Sequence, residues 1–220
     1  MCARQDSYLK ANIILCINQF GFHKNSNTSD AIIEFLDYVY PSLDSKQSTI
    51  SVYLNFSKAF NTVNHDILMS RLLHNGIRGV MHLWFKSYLS NRKQCVSIKN
   101  CSSSMSNITL GVPQGLVLGP VLFFLYINDM YRSSNKMCFV HFADNTMVFA
   151  SDSDITNVHA TLNGELVEVD NWLKANRLSL NVSKTPYMII SSQKNVCDSI
   201  KIRDSILIPK FQQSNFLVLP

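Results

Sequence analysis

Two short apolar runs, 137–142 and 146–151, meet at Ala143-Asp144-Asn145. Runs of this length, bounded by residues that favour turns, read as an antiparallel hairpin. The hairpin constrains the fold more than any other feature. Strands apolar on this scale need a larger sheet and a covering layer, so only the tip is left free. An acidic residue at that tip is, on the hairpin alone, an ordinary turn residue, since Asp and Asn both favour turns. Its company along the chain decides whether it is more.

The flanking segments supply helices as well as strands. Ala31, Ile32, Phe35, Leu36 and Val39 recur at spacings of three and four, which predicts a helical face that Pro41 ends. Residues 49–56 (TISVYLNF) read as a strand. Asn64 caps a helix to about His74, with Ile67, Leu68, Leu72 and Leu73 inward and Asn75-Gly76 as its stop. A second helix, 80–89, turns Leu83, Trp84 and Tyr88 to the core. Strands at 94–99 and 106–110 flank a polar turn, and 111–115 is a loop. A helix from Gly119-Pro120 to near Met130 carries Val121, Leu122, Leu125 and Tyr126. A long helix, 154–176, places Leu162, Leu166, Val169 and Leu173 on one face, and a strand follows at 186–191. Residues 7–18 read as a helix end and a turn, while 200–208 and 216–219 are further apolar pieces. Helices and hairpins in this order predict an α+β fold with helices packed on one face of an antiparallel sheet.

Composition narrows the class. The chain has 220 residues, 46% hydrophobic and 16% charged, which supports a packed core and excludes disorder. The net charge of +5 is compatible with a polyanionic partner without requiring one. None of the six cysteines forms a C-x-x-C pair, and their scatter lacks the density of a disulfide scaffold. Free thiols in a reducing compartment are the expectation. The longest apolar stretch, 116–127, is too short to span a bilayer, and the N-terminus has no signal-peptide core. A soluble intracellular protein with no membrane partner is expected. Arg92-Lys93 and the residues 174–177 are too sparse for a nuclear-import run, so the compartment stays open, and no protein partner is deducible.

Five blocks then stand out: INQFGFHKNSNTSDA at 17–31, SVYLNFSKAFN at 51–61, GVPQGLVLGP at 111–120, HFADNT at 141–146 and NWLKANRLSLNVSKT at 171–185. In this order and spacing they resemble the reverse transcriptase of non-LTR retrotransposons, jockey-like elements especially, from about Ser7 to the C-terminus. The resemblance implies a right-hand polymerase palm over 49–220, ending at the start of the primer-grip region. It implies part of the fingers over 1–48, and no thumb. It further implies RNA-directed DNA synthesis, with an RNA template, a DNA primer and deoxynucleoside triphosphates as partners. In such enzymes a primer 3′-hydroxyl attacks an α-phosphate between two divalent cations, Mg²⁺ or Mn²⁺. Hard cations of this kind take carboxylate oxygens. By resemblance those carboxylates come from the first strand and the hairpin turn.

Here the chain departs from the pattern. Asp144 is retained, but Asn55 and Asn145 stand at the other two metal positions, and Asn61 at a further acidic one. Each lost carboxylate removes on the order of 4 kcal/mol of attraction for a cation at an effective dielectric of about 20. That is roughly a thousandfold in metal affinity, so polymerisation is expected to be impaired. The resemblance assigns Phe56, Phe60, Gln114 and Gly115 to nucleotide binding, with Phe60 beneath the incoming sugar. Lys184 falls near the third phosphate as a proton donor. Leu116 replaces a usual Ser, and His23 replaces a usual Arg. The alternative is a remnant that binds nucleic acid without polymerising, or a fragment that does neither.

Overall fold

The computed structural model describes residues 16, 18–21, 26–115, 118–192, 199–202 and 206–210. In chain order its elements are α1 (Thr28–Asp44), β1 (Ser48–Asn55), α2 (Ala59–Thr62), α3 (His65–His74), α4 (Gly79–Leu89), β2 (Arg92–Gln94), β3 (Ser97–Ile98), β4 (Cys101–Ser102), β5 (Ser106–Ile108), α5 (Leu118–Ile127), β6 (Cys138–Phe142), β7 (Asn145–Asp152), α6 (Ile155–Ala175), β8 (Tyr187–Ile190), β9 (Lys201–Ile202) and β10 (Ile206–Leu207). Short 3-10 turns lie at Met130–Ser133 and Val182–Lys184. Two compact units result. One is Cys16–Ser57 with Asp129–Pro220; the described residues of the other lie within Lys58–Asn128.

The first unit is built on a four-stranded sheet in the order β6-β7-β1-β8, antiparallel throughout. Side chains alternate between its faces. On one face α1 packs Ala31, Phe35 and Val39 against Val140 and Phe149. The rings of Phe35 and Tyr38 meet Phe149 edge-on at 5.1 and 4.8 Å. Ile50, Val52, Leu54, Val148 and Ala150 alternate with that set and are buried too. Here α6 lies against β1 and β7, and its predicted stripe of Leu162, Leu166, Val169 and Leu173 is fully buried. The antiparallel sheet with helices is as expected, but helices cover both of its faces rather than one, because β7 is apolar on both sides.

Pro41 does not end α1. The helix is started by a capping box, in which Asn27 accepts from the Ser29 and Asp30 amides and Asp30 accepts from that of Asn27. It then runs through Pro41 to Asp44. Proline withholds one donor in the last turn, and the turn is closed around it. The Ser42 hydroxyl donates to the Tyr38 carbonyl at 3.0 Å, and the Ser45 amide donates to the Pro41 carbonyl at 3.0 Å. Ile32, predicted inward, faces outward at 39% exposure.

In the second unit Asn64 caps α3 as expected, accepting from the Ile67 amide at 3.1 Å. Leu68 and Leu72 are buried, but Leu73 is not. In α4 the buried pair is Phe85 and Leu89, four apart on one face, while Leu83 is 64% exposed. Periodicity alone admitted either stripe; α4 packs against α3, and one narrow face suffices for that. The strand expected over 94–99 is two, because β2 pairs with β5 and β3 with β4. Helix α5 is buried on nearly every side, and it ends at Ile127 rather than near Met130. No helix among the described residues is long and apolar enough to cross a membrane. Residues 7–15 and 216–219 lie outside the described residues.

Leu166→Ala should cost about 2–5 kcal/mol in urea unfolding, as for a fully buried leucine. Leu83→Ala, at an exposed site, should stay within about 0.5 kcal/mol.

Candidate active site

The sheet brings the carboxylate positions together. Asn55, the last residue of β1, is register partner to Asn145, the first of β7, and Asn145 is partner to Phe142 of β6. Directly opposed residues share a face with Cβ atoms about 4.5–5.5 Å apart. Asn145 therefore belongs to the strand, and the turn is only Ala143 and Asp144. Asn55 and Asp144 are half-buried, and Asn145 is exposed.

A two-residue hairpin turn matches the strand twist when its first residue has positive φ. Ala143 takes that conformation, with φ 57°, which costs a residue with a Cβ about 1–2 kcal/mol. Residues 18–21 lie alongside. The His141 amide donates to the Asn18 carbonyl and the Phe20 amide to the His141 carbonyl, both at 2.8 Å. Asn18 Nδ2 donates to the Phe139 carbonyl at 3.0 Å. Buried Gln19 accepts at one oxygen, Oε1, from the amides of Gly21 at 2.9 Å and Ala143 at 3.3 Å. A Cβ on Gly21 would stand 2.1 Å from the Ala143 nitrogen, so only glycine fits there.

The end of β1 is fixed by the fifth block. The Asn55 amide donates to Thr185 Oγ1 at 3.2 Å, and its carbonyl accepts from the Asn181 amide at 2.8 Å. The Ser57 amide donates to the Ser179 carbonyl at 2.7 Å, and buried Phe56 bridges to Leu180. Lys184 is exposed in the 3-10 turn of this segment.

The remaining sequence candidates sit in the Lys58–Asn128 unit. Phe60 is half-buried with its ring 4.7 Å from that of Phe123. Gln114 is exposed and donates through Nε2 to Asn61 Oδ1 at 3.0 Å. Gly115, also exposed, follows it in the loop. That loop is drawn onto residue 61 by Gly111, where a Cβ would meet Asn61 backbone at 2.9 Å. Leu116 and His23 lie outside the described residues.

The donor set does not suit a pair of divalent cations. One carboxylate and two amides meet at the sheet end, and no group of three His, Cys, Asp or Glu is assembled among the described residues. Amide oxygens bring no formal charge, whereas hard cations are held largely by carboxylates.

Two features were missed in the sequence. Gln19 was read only as part of a block; the signal was a Gln-x-Gly step that a tight backbone approach would need. The other is charge segregation. From Ile67 to Asn128 there is no Asp or Glu, while Arg71, Arg78, Lys86, Arg92, Lys93 and Lys99 all fall there. Within that stretch the Trp84 and Tyr88 rings stack at 5.2 Å, and the Arg92 guanidinium lies 5.5 Å over Tyr88.

The model of the family "Reverse transcriptase (RNA-dependent DNA polymerase)" matches residues 7–217. The RNA-directed DNA polymerase from mobile element jockey of Drosophila melanogaster is 23% identical over 196 residues, covering 86% of this chain and 21% of the relative. The probable RNA-directed DNA polymerase from transposon BS, of the same organism, is 26% identical over 216 residues, covering 93% and 23%. That from transposon X-element, again of Drosophila melanogaster, is 27% identical over 201 residues, covering 90% and 21%. The chain thus spans about a fifth of the length of these relatives. Among solved structures, telomerase from Candida tropicalis in complex with a fragment of telomeric RNA aligns with TM-score 0.64 at 12% identity, over 90% of this chain and 34% of that one. Its Candida albicans counterpart aligns at 0.57 and 12%, over 90% and 35%. Identities this low speak for the fold, which is that of a polymerase palm.

Next to the turn, His141 is buried and its Nδ1 is 2.8 Å from Thr146 Oγ1. Burial pushes its pKa down from 6.5 to about 4. Between those values the unfolded chain holds a proton that the folded one does not, so stability falls as pH drops from about 6.5 to about 4. The loss attributable to this residue should be about 3 kcal/mol. Urea unfolding at pH 7.5, 5.5 and 4 checks it: His141→Gln should flatten the slope by that share.

Proposed function

This chain belongs to the reverse transcriptase (RNA-dependent DNA polymerase) family, and on that premise we propose that it is the palm region of a non-LTR retrotransposon RNA-directed DNA polymerase whose synthesis is impaired. The single observation that carries the impairment is Asn55 opposite Asn145, beside Asp144. The chemistry of the family is attack of a primer 3′-hydroxyl on the α-phosphate of a deoxynucleoside triphosphate, templated by RNA and assisted by Mg²⁺ or Mn²⁺. Asp144 is the retained metal position. Gln114 and Gly115 hold the incoming nucleotide; their exposure supports this. Phe60, with part of its ring surface free, lies beneath the sugar, and Phe56 fixes the strand end beside the metal positions. Exposed Lys184 serves the departing pyrophosphate as proton donor.

A second reading has its own support. The acid-free stretch from Ile67 to Asn128 presents basic side chains, with exposed Arg78, Lys86, Lys93 and Lys99, to a polyanion. Grip on nucleic acid is sequence-tolerant electrostatics and does not need the lost carboxylates. The chain therefore binds primer and template while failing to extend them.

Primer extension on an RNA template with Mg²⁺ or Mn²⁺ tests the impairment. This chain should give no product, and Asn55→Asp/Asn145→Asp should bind Mn²⁺ at least about a thousandfold more tightly by electron paramagnetic resonance. Magnesium-dependent synthesis by the unaltered chain sinks the proposal. Binding to a primer–template duplex should weaken with salt, and Lys86→Gln/Lys93→Gln should reduce the logarithmic salt slope by roughly one per residue. A slope unchanged by that pair removes the second reading.

A further inference from the structure

We infer that Gln19 is a positioning residue, which holds the Ala143–Asp144 turn in its left-handed conformation from outside the hairpin. The inference rests on reading Asp144 as a site residue, and goes beyond it to what keeps that residue in place. Three observations converge on one atom. Gln19 is 7% exposed, so its amide oxygen is withdrawn from water and must find donors within the protein. It finds two, the amides of Gly21 and Ala143. Ala143 is also the residue of the turn with unfavourable φ. The Ala143 amide lies in the peptide plane that enters the turn, so the bond to Gln19 Oε1 fixes that plane and limits how the strained residue beyond it can relax.

The neighbours of Gln19 leave little freedom for another arrangement. Asn18 and Phe20 exchange backbone hydrogen bonds with His141 on either side of it, so its own position along β6 is set. Two residues on, Gly21 permits backbone approach that a Cβ at 2.1 Å from the Ala143 nitrogen would forbid. The segment is thus a short edge piece that meets the turn with the Gly21 backbone and the Gln19 side chain. Gly21 makes room and Gln19 makes the bond.

Amide hydrogen exchange on the full chain, read by NMR, tests this. In Gln19→Leu the Ala143 and Gly21 amides should exchange at least about tenfold faster, while Val148 and Ala150 in β7 keep their protection. Gln19→Glu retains an acceptor oxygen and should restore protection at both amides. Unchanged exchange in Gln19→Leu overturns the proposal, and so does failure of Gln19→Glu to restore it. A loss of protection spread along all of β6 and β7 also overturns it, since that marks general packing rather than a hold on the turn. Should Gln19→Leu not fold, the pair Gln19→Leu/Ala143→Gly decides. Glycine removes the cost of the left-handed turn, so it must rescue folding, and an unrescued pair refutes the role. None of these readouts involves metal or synthesis, so they stand apart from the impairment proposed above.

Discussion

β1 and β7 pair over all eight of their residues, from Ser48 opposite Asp152 to Asn55 opposite Asn145. A slip of one residue would turn every side chain of β1 to the other face. Ile50, Val52 and Leu54 would leave the α6 side and meet α1, so burial on both faces fixes the register from both sides at once. The site depends on this. Residues 55 and 145 are remote in sequence, and they meet only because a packed core, with no regard for chemistry, allows one pairing. The adjoining turn inherits its place from the same register.

The geometry of the site and its charge are therefore separable. Strand pairing uses backbone groups, and Asn offers the backbone nothing that Asp does not. Replacing a carboxylate oxygen by an amide nitrogen at a half-buried and an exposed position leaves the pairing intact. What it sets is the field at the sheet end, where Asp144 brings one formal negative charge and the two amides bring none. Thr185 and Asn181, which hold Asn55 through its backbone amide and carbonyl, make contacts that do not depend on its side chain.

Much of this was legible in the sequence. The hairpin, the long α6 stripe and the Asn64 cap follow from local periodicity and side-chain chemistry, and they appear as read. The five blocks pointed to the three positions at the sheet end. Illegible features were those that depend on neighbours. Whether Phe85 or Leu83 faces inward in α4 is decided by where its neighbour α3 packs on it. Pro41 reads as a stop until Ser42 and Ser45 are seen to close the turn around it. The strand read over 94–99 breaks at Cys95 and Val96, where no proline or glycine announces it. Gln19 looks like any polar residue, and its importance lies in an atom of a turn more than a hundred positions away.

The isosteric exchange at Asn55 and Asn145 has a consequence for persistence in a cell. Proteases and chaperones respond to the unfolded fraction of a chain, which is set by its stability. Substitutions that empty a site of charge while sparing the sheet do not raise that fraction, since they remove repulsion between like charges. Surveillance that reads folding alone treats such a chain as it would one with carboxylates at both positions. Its lifetime is then set by the core beneath the site.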